Sequence, residues 1–216
     1  MVTKKKTVRL KDGEETQREL IAAVGDTLRE EGFQGLRTNK IAKRIGKDKN
    51  VVRYHFDNME GLEKAYIREK DHWLPFFAKF KLSETPTSAE VEKLFRELMQ
   101  ANFSSFLDNP EMQQIILWQI SEANPLLRLI SEEREKEGAK LLAKTDPFFN
   151  NSGVNFRAVV SLLLGGIYYI VLHAQTNKSS VSGMDANKKS DQQELLKTIG
   201  QILDWSWQAA EQTNKN

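Results

Sequence analysis

The chain has 216 residues, 39% hydrophobic and 29% charged, enough to bury a substantial core and too apolar for intrinsic disorder. It lacks cysteine, which excludes a disulfide framework and thiolate chemistry and suits a reducing cytoplasm. The net charge of +2 hides an imbalance: residues 1–57 carry 14 Lys+Arg against 9 Asp+Glu, so a polyanion would be drawn to that end and not to the acidic remainder.

Residues 1–12 are basic and aperiodic. They read as a flexible solvated arm, or as an arm whose Lys4, Lys5, Lys6 and Arg9 follow a nucleic-acid backbone or enter a minor groove. No apolar run follows these lysines, so no signal peptide is expected. A first helix is predicted from about Gly13 to Glu31. Thr16 and Glu19 have capping-box spacing, Leu20, Ile21, Val24 and Leu28 form the apolar stripe, and Gly32 is placed to end it. Phe33 and Leu36 would pack beneath the next two helices and complete a three-helix core.

Residues 38–62 organise the chain. Thr38 is a candidate cap, since its hydroxyl can accept from free N–H groups of a first turn. Ile41, Ala42 and Ile45 recur at helical spacing, and Gly46 suits a left-handed terminus. Asp48 is a second cap candidate, and Val51, Val52 and Phe56 supply a second apolar face. Two short helices about a glycine turn make a helix-turn-helix, with Lys and Arg side chains outward as DNA reading requires.

The next helix is predicted from Asn58 towards Phe80. Pro75 should kink or interrupt it, and a plain break near residue 74 is the alternative. Residues 81–88 read as a loop, and helices are expected from about Ser88 to Leu107, after Asn109-Pro110, and from Asn124-Pro125 to about Ala143. Residues 144–153 read as a loop. Residues 158–172 are uncharged and apolar on every side, so they must be covered on every side. Fifteen residues rise only about 22 Å, short of the roughly 30 Å hydrocarbon core of a membrane, and polar residues follow at once. A partner chain is the expected cover. Residues 178–190 read as a polar, mobile loop before a last helix at about 191–211.

Residues 16–62 resemble the N-terminal domain of the TetR family of bacterial transcriptional regulators. The resemblance lies in Glu31-Gly32-Phe33, Thr38-x-x-Ile41-Ala42, Gly46, Tyr54-His55-Phe56 and Glu60-x-Leu62. It implies an all-α protein, with a helix-turn-helix DNA-binding domain at 1–57 and a larger effector-binding and dimerisation domain at 58–216. It further implies a homodimer through two C-terminal helices, about 154–177 and 191–211, bound to a palindromic double-stranded operator. Three positions depart from the family pattern: Lys47 stands for an apolar residue, Arg53 for tyrosine and Met59 for lysine, each of the last two a phosphate contact. Arg53 can still hold a phosphate by charge and its fork of donors. Within the head, Thr38, Arg53, Tyr54 and His55 would touch phosphates, Lys49 and Asn50 would meet base edges, and Lys47 could do either.

No catalytic signature appears. There is no phosphate-binding glycine loop and no nucleophile elbow, and His55, His72 and His173 have no second ligand at metal spacing. No cofactor or metal is expected, and the chain reads as a cytoplasmic non-enzyme. Trp73, Phe77, Phe103, Trp118, Tyr168, Tyr169 and His173 are the candidate lining of an effector cavity, suited to an apolar or aromatic small molecule. The alternative to a ligand-released repressor is a helical ligand-binding or dimeric scaffold whose head binds DNA weakly or not at all.

Overall fold

A computed structural model of the chain describes residues 2–71 and 73–213, with side chains described from residue 12 onward except at 74 and 75. His72 and the side chains of Lys4, Lys5, Lys6 and Arg9 lie outside the described residues. Among the described residues the regular structure is helical, save one isolated antiparallel bridge between Val181 and Met184. The all-α class expected from the sequence holds. The chain divides into two compact units, Met1–Asp71 with Gln114–Arg128, and His72–Gln113 with Leu129–Asn216.

The first unit is built on α1 (Val2–Glu31), which buries Leu20, Ala23, Val24 and Leu28. Two sequence expectations change here. The helix starts at Val2, so residues 2–12 are helical backbone and not an irregular arm. Thr16 therefore lies inside the helix, where no free N–H awaits a cap; its hydroxyl instead donates to the Asp12 carbonyl at 2.9 Å. Gly32, at φ 69°, ends α1 as predicted. A 3-10 turn at Phe33–Gly35 leads to α2 (Thr38–Arg44), α3 (Asn50–Phe56) and α4 (Met59–Lys70). Ile41, Ala42, Val52, Leu62, Tyr66 and Ile67 complete the core with the α1 stripe.

The segment Gln114–Arg128 also belongs to this unit, and carries the end of α7 (Pro110–Ser121) and the start of α8 (Pro125–Leu142). Its Trp118 lies parallel to Phe33, with ring centroids 6.4 Å apart. Helix α4 stops at Lys70 and Asp71 is extended. Of the two sequence expectations, a kinked helix towards Phe80 or a plain break near residue 74, the break holds, a few residues earlier. The cause is Pro75, which has no N–H for the carbonyl of residue 71 and would crowd it in a continuous helix.

In the second unit α5 (Trp73–Phe77) is a single turn, and α6 (Ser88–Leu107) is the spine. Thr87 and Glu90 form a full capping box at its start. A four-residue helix, α9 (Asp146–Phe149), sits where the sequence suggested only loop. Helices α10 (Phe156–Asn177) and α11 (Lys189–Thr213) both pack on α6. Trp207 is 2% exposed, meets Phe149 and Phe156 edge-on, and donates from Nε1 to the Ser88 hydroxyl at 2.8 Å. Gln100 donates to the Leu196 carbonyl, and Arg96 pairs with Asp204. These bonds fix the register of α6 against α11.

The connection at 178–190 is tied down and not the mobile loop expected. Asn187 donates to the Ala174 carbonyl and accepts from Gln175, Gln192 donates to the Ala186 carbonyl, and Ala186 is fully buried. Polar composition suggested mobility, but here the polar side chains serve the backbone.

Candidate nucleic-acid interface

The turn before α3 is set by two residues. Gly46 adopts φ 67°, its N–H reaches the Lys43 carbonyl, and the Lys47 N–H reaches back to the Ala42 carbonyl at 2.9 Å. This closes α2 with a left-handed terminus. Asp48 then accepts the Asn50 N–H on its carboxylate at 2.9 Å, one residue ahead of the cap position, which Lys49 holds without a side-chain bond. Thr38 does not cap. Arg37 holds the cap position in extended conformation without a side-chain bond, and Thr38 is the first helical residue.

Period 3.6 does the rest. Val52 faces fully inward, with Val51, His55 and Phe56 half-buried beside it. Asn50, Arg53 and Tyr54 therefore share the outward face of α3, with Lys49 just ahead of them and all four exposed. Tyr54 is 83% exposed, an unusual setting for a large aromatic side chain. The structure thus brings Lys49, Asn50, Arg53 and Tyr54 together on one surface.

Lys47 and His55 are placed differently. Lys47 Nζ donates to the Thr16 hydroxyl at 2.9 Å, which ties the turn to α1. His55 lies edge-on to Tyr54, ring centroids 4.8 Å apart. Burial, then the charge of Lys47, hold its pKa below the usual histidine value, so at neutral pH it is an uncharged hydrogen-bonding group. At the start of α2, Arg37, Thr38, Asn39, Lys40 and Lys43 border an open hollow. Lys40 pairs with Glu31 and Arg44 with Glu30, so these two cations anchor α2 to α1. Arg37 and Lys43 remain exposed and add to the basic surface. Sequence reading counted Lys43 among the outward residues together with Lys40 and Arg44 and passed over Arg37, because charge alone did not separate exposed cations from the anchoring pair.

Behind this face, α3 joins α4 at a tight corner. Asp57 has φ 66°, and Asn58 caps α4 by accepting the Gly61 N–H at 2.8 Å. Any Cβ at Gly61 would come within 2.0 Å of the Phe56 carbonyl oxygen. Further along α4, Glu63 is partly buried. Burial, then the charges of Glu60 and Glu122, push its pKa up to about 7.

The aromatic residues predicted to line an effector cavity are dispersed. Trp73 and Phe77 come together, with centroids 5.1 Å apart. Phe103 floors an apolar groove of about 410 Å³ between α10 and α11. Tyr168 packs on Phe106 at 4.6 Å, whereas Tyr169 is 59% exposed beside His173 at 5.7 Å. Trp118 belongs to the first unit. Among the described residues no group of histidine, cysteine or acidic side chains is arranged to hold a metal.

No family model matches the chain, and no curated protein matches it in sequence. Solved structures do share its fold. The fatty acid degradation regulator FadR from Bacillus halodurans superposes at TM-score 0.60 with 19% identity, over 87% of this chain and 94% of that one. FadR from Bacillus subtilis, in complex with stearoyl-CoA, gives 0.60 and 18%, over 86% and 96%. A TetR-family transcription regulator from Marinobacter aquaeolei VT8 gives 0.61 and 17%, over 93% and 97%. With a helix-turn-helix in the first unit and a helical second unit, the chain has the fold of the TetR-family transcriptional regulators.

Proposed function

We propose that the chain is a homodimeric, DNA-binding transcriptional regulator, a repressor that leaves its operator when a small apolar or aromatic molecule binds its second unit. The observation that carries this reading is the outward face of α3, where Lys49, Asn50, Arg53 and Tyr54 stand exposed on a rigid three-helix support. Lys49 and Asn50 have the donors that suit guanine and adenine edges in a major groove. Arg53 and Tyr54 suit the phosphates, with Thr38 and His55 flanking them. Lys47 acts mainly by bracing the turn against Thr16.

The dimer reading is supported by the outer faces of α10 and α11. Leu162 is 77% exposed and Trp205 60%, and only 28% of the most apolar stretch of α10 is buried. By length and composition α10 is long enough to cross a membrane. A second copy is the better cover, because α11 adds the matching stripe Leu195, Thr198 and Ile202 along the same groove. Four helices, two from each chain, then bury both stripes. Two-fold symmetry calls for a palindromic operator with half-sites about 34–36 Å apart or a multiple of that. The stearoyl-CoA held by Bacillus subtilis FadR has a long apolar chain, which supports an apolar effector here. The role is regulatory, in the cytoplasm, and not enzymatic.

Gel retardation with DNA from upstream of the protein's own gene tests this. Lys49→Ala is expected to lower discrimination between operator and scrambled DNA by about 1–3 kcal/mol. Arg53→Ala is expected to weaken both alike and reduce the salt slope by about one. Absence of specific retention at low salt would instead favour a ligand-binding scaffold with an inactive head.

A further inference from the structure

Asn102 lies on α6 with no exposed surface, and among the described residues neither its Oδ1 nor its Nδ2 has a hydrogen-bond partner. A carboxamide offers two donors and an acceptor, and burying one unpaired forfeits its whole interaction with water. Three other buried polar side chains of this unit are satisfied. Gln113 donates to the Phe106 carbonyl, Thr145 to that of Leu142 and Ser152 to that of Phe149. Of the side chains one helical turn from Asn102 on the same face, Leu98, Met99 and Phe106 are buried and apolar, and Ser105 is half-buried. Phe95 meets Phe156 at 5.2 Å and Phe106 meets Tyr168 at 4.6 Å, so α6 is held on both sides of Asn102 and cannot turn it to solvent. Such an orphaned amide calls for a physical reason.

We propose that Asn102 is the residue by which the second unit selects its effector. Its amide pairs with a ligand group that both accepts and donates a hydrogen bond, a primary carboxamide or a protonated carboxylic acid, carried on an otherwise apolar molecule. This rests on the reading of the second unit as an effector-binding domain. Because the amide atoms are fully enclosed, the ligand enters by parting the apolar side chains around them. The unpaired amide disfavours the closed packing, and the ligand's own hydrogen bonds offset that penalty. Helix α6 packs on α10 and α11, so parting it disturbs the two helices of the proposed dimer face.

Thermal unfolding and calorimetric titration of the full chain test this. The probes are primary carboxamides on hexyl, decyl and phenylbutyl chains, each against its methyl ester, which accepts but does not donate. The wild type is expected to prefer the amide of each binding pair by about tenfold or more. Asn102→Leu is expected to abolish that preference and leave the unliganded protein as stable or more so. Asn102→Ala, which adds no bulk, gives the same comparison should the leucine variant misfold. An unchanged preference in either folded variant, no preference in the wild type, or no binding of any probe would overturn the proposal. Gel retardation by the unliganded protein reads the regulator function separately, so either reading can fail without the other.

Discussion

Glu63 shows how much a single residue's surroundings decide. Burial raises its pKa to about 7 from an ordinary 4.5, with Glu60 and Glu122 adding to the shift. The folded head thus holds a proton that the unfolded chain releases. Its contribution is fully present below pH 4.5 and is lost as pH rises through about 7. Glu63→Gln is expected to stabilise the protein above that pH, by about 1–2 kcal/mol after allowance for solvent screening. Urea unfolding at a series of pH values would show the slope flattened in the variant. Residue-level features of this kind were illegible in the sequence. Glu63 is one acid among 30 acidic residues, and Asn102 interrupts an apolar helix without changing its period. The outward side of α3 was legible in part: spacing places Asn50 and Arg53 opposite Val52, but it also put His55 outward, where the structure half-buries it.

At the scale of elements, the sequence declared helices that begin with strong local chemistry. Asn109-Pro110 announced α7 and Asn58 announced α4, whereas the Thr87–Glu90 box that starts α6 went unread in a stretch taken as loop. The sequence failed where a helix is carried by propagation from its neighbour. Residues 2–12 have no apolar period of their own, yet they continue α1. It failed again at α9, a single turn too short to show a period. The α3–α4 corner depends on a glycine whose spacing made it look interchangeable. Gly61→Ala would push a methyl into the Phe56 carbonyl, which is backbone and cannot swing aside. A loss of about 1–3 kcal/mol is expected. Loss of operator retention while the second unit stays folded by circular dichroism would locate the damage in the head.

At the scale of the whole molecule, the proposed two-chain particle rests on the exposed apolar faces of α10 and α11. Leu162→Arg is expected to yield a monomer by sedimentation and to abolish operator retention. Its thermal stability as a monomer should change little, because Leu162 makes few contacts within its own chain at 77% exposure. If the variant stayed dimeric, the association face would lie elsewhere. The stacking of Trp118 on Phe33 has a further use. Of the four tryptophans, only Trp118 belongs to the unit that carries the helix-turn-helix. Replacing Trp73, Trp205 and Trp207 with phenylalanine would leave one indole whose emission colour reports melting of that unit alone. The chain thus carries its own optical gauge of whether the two units come apart together or in turn.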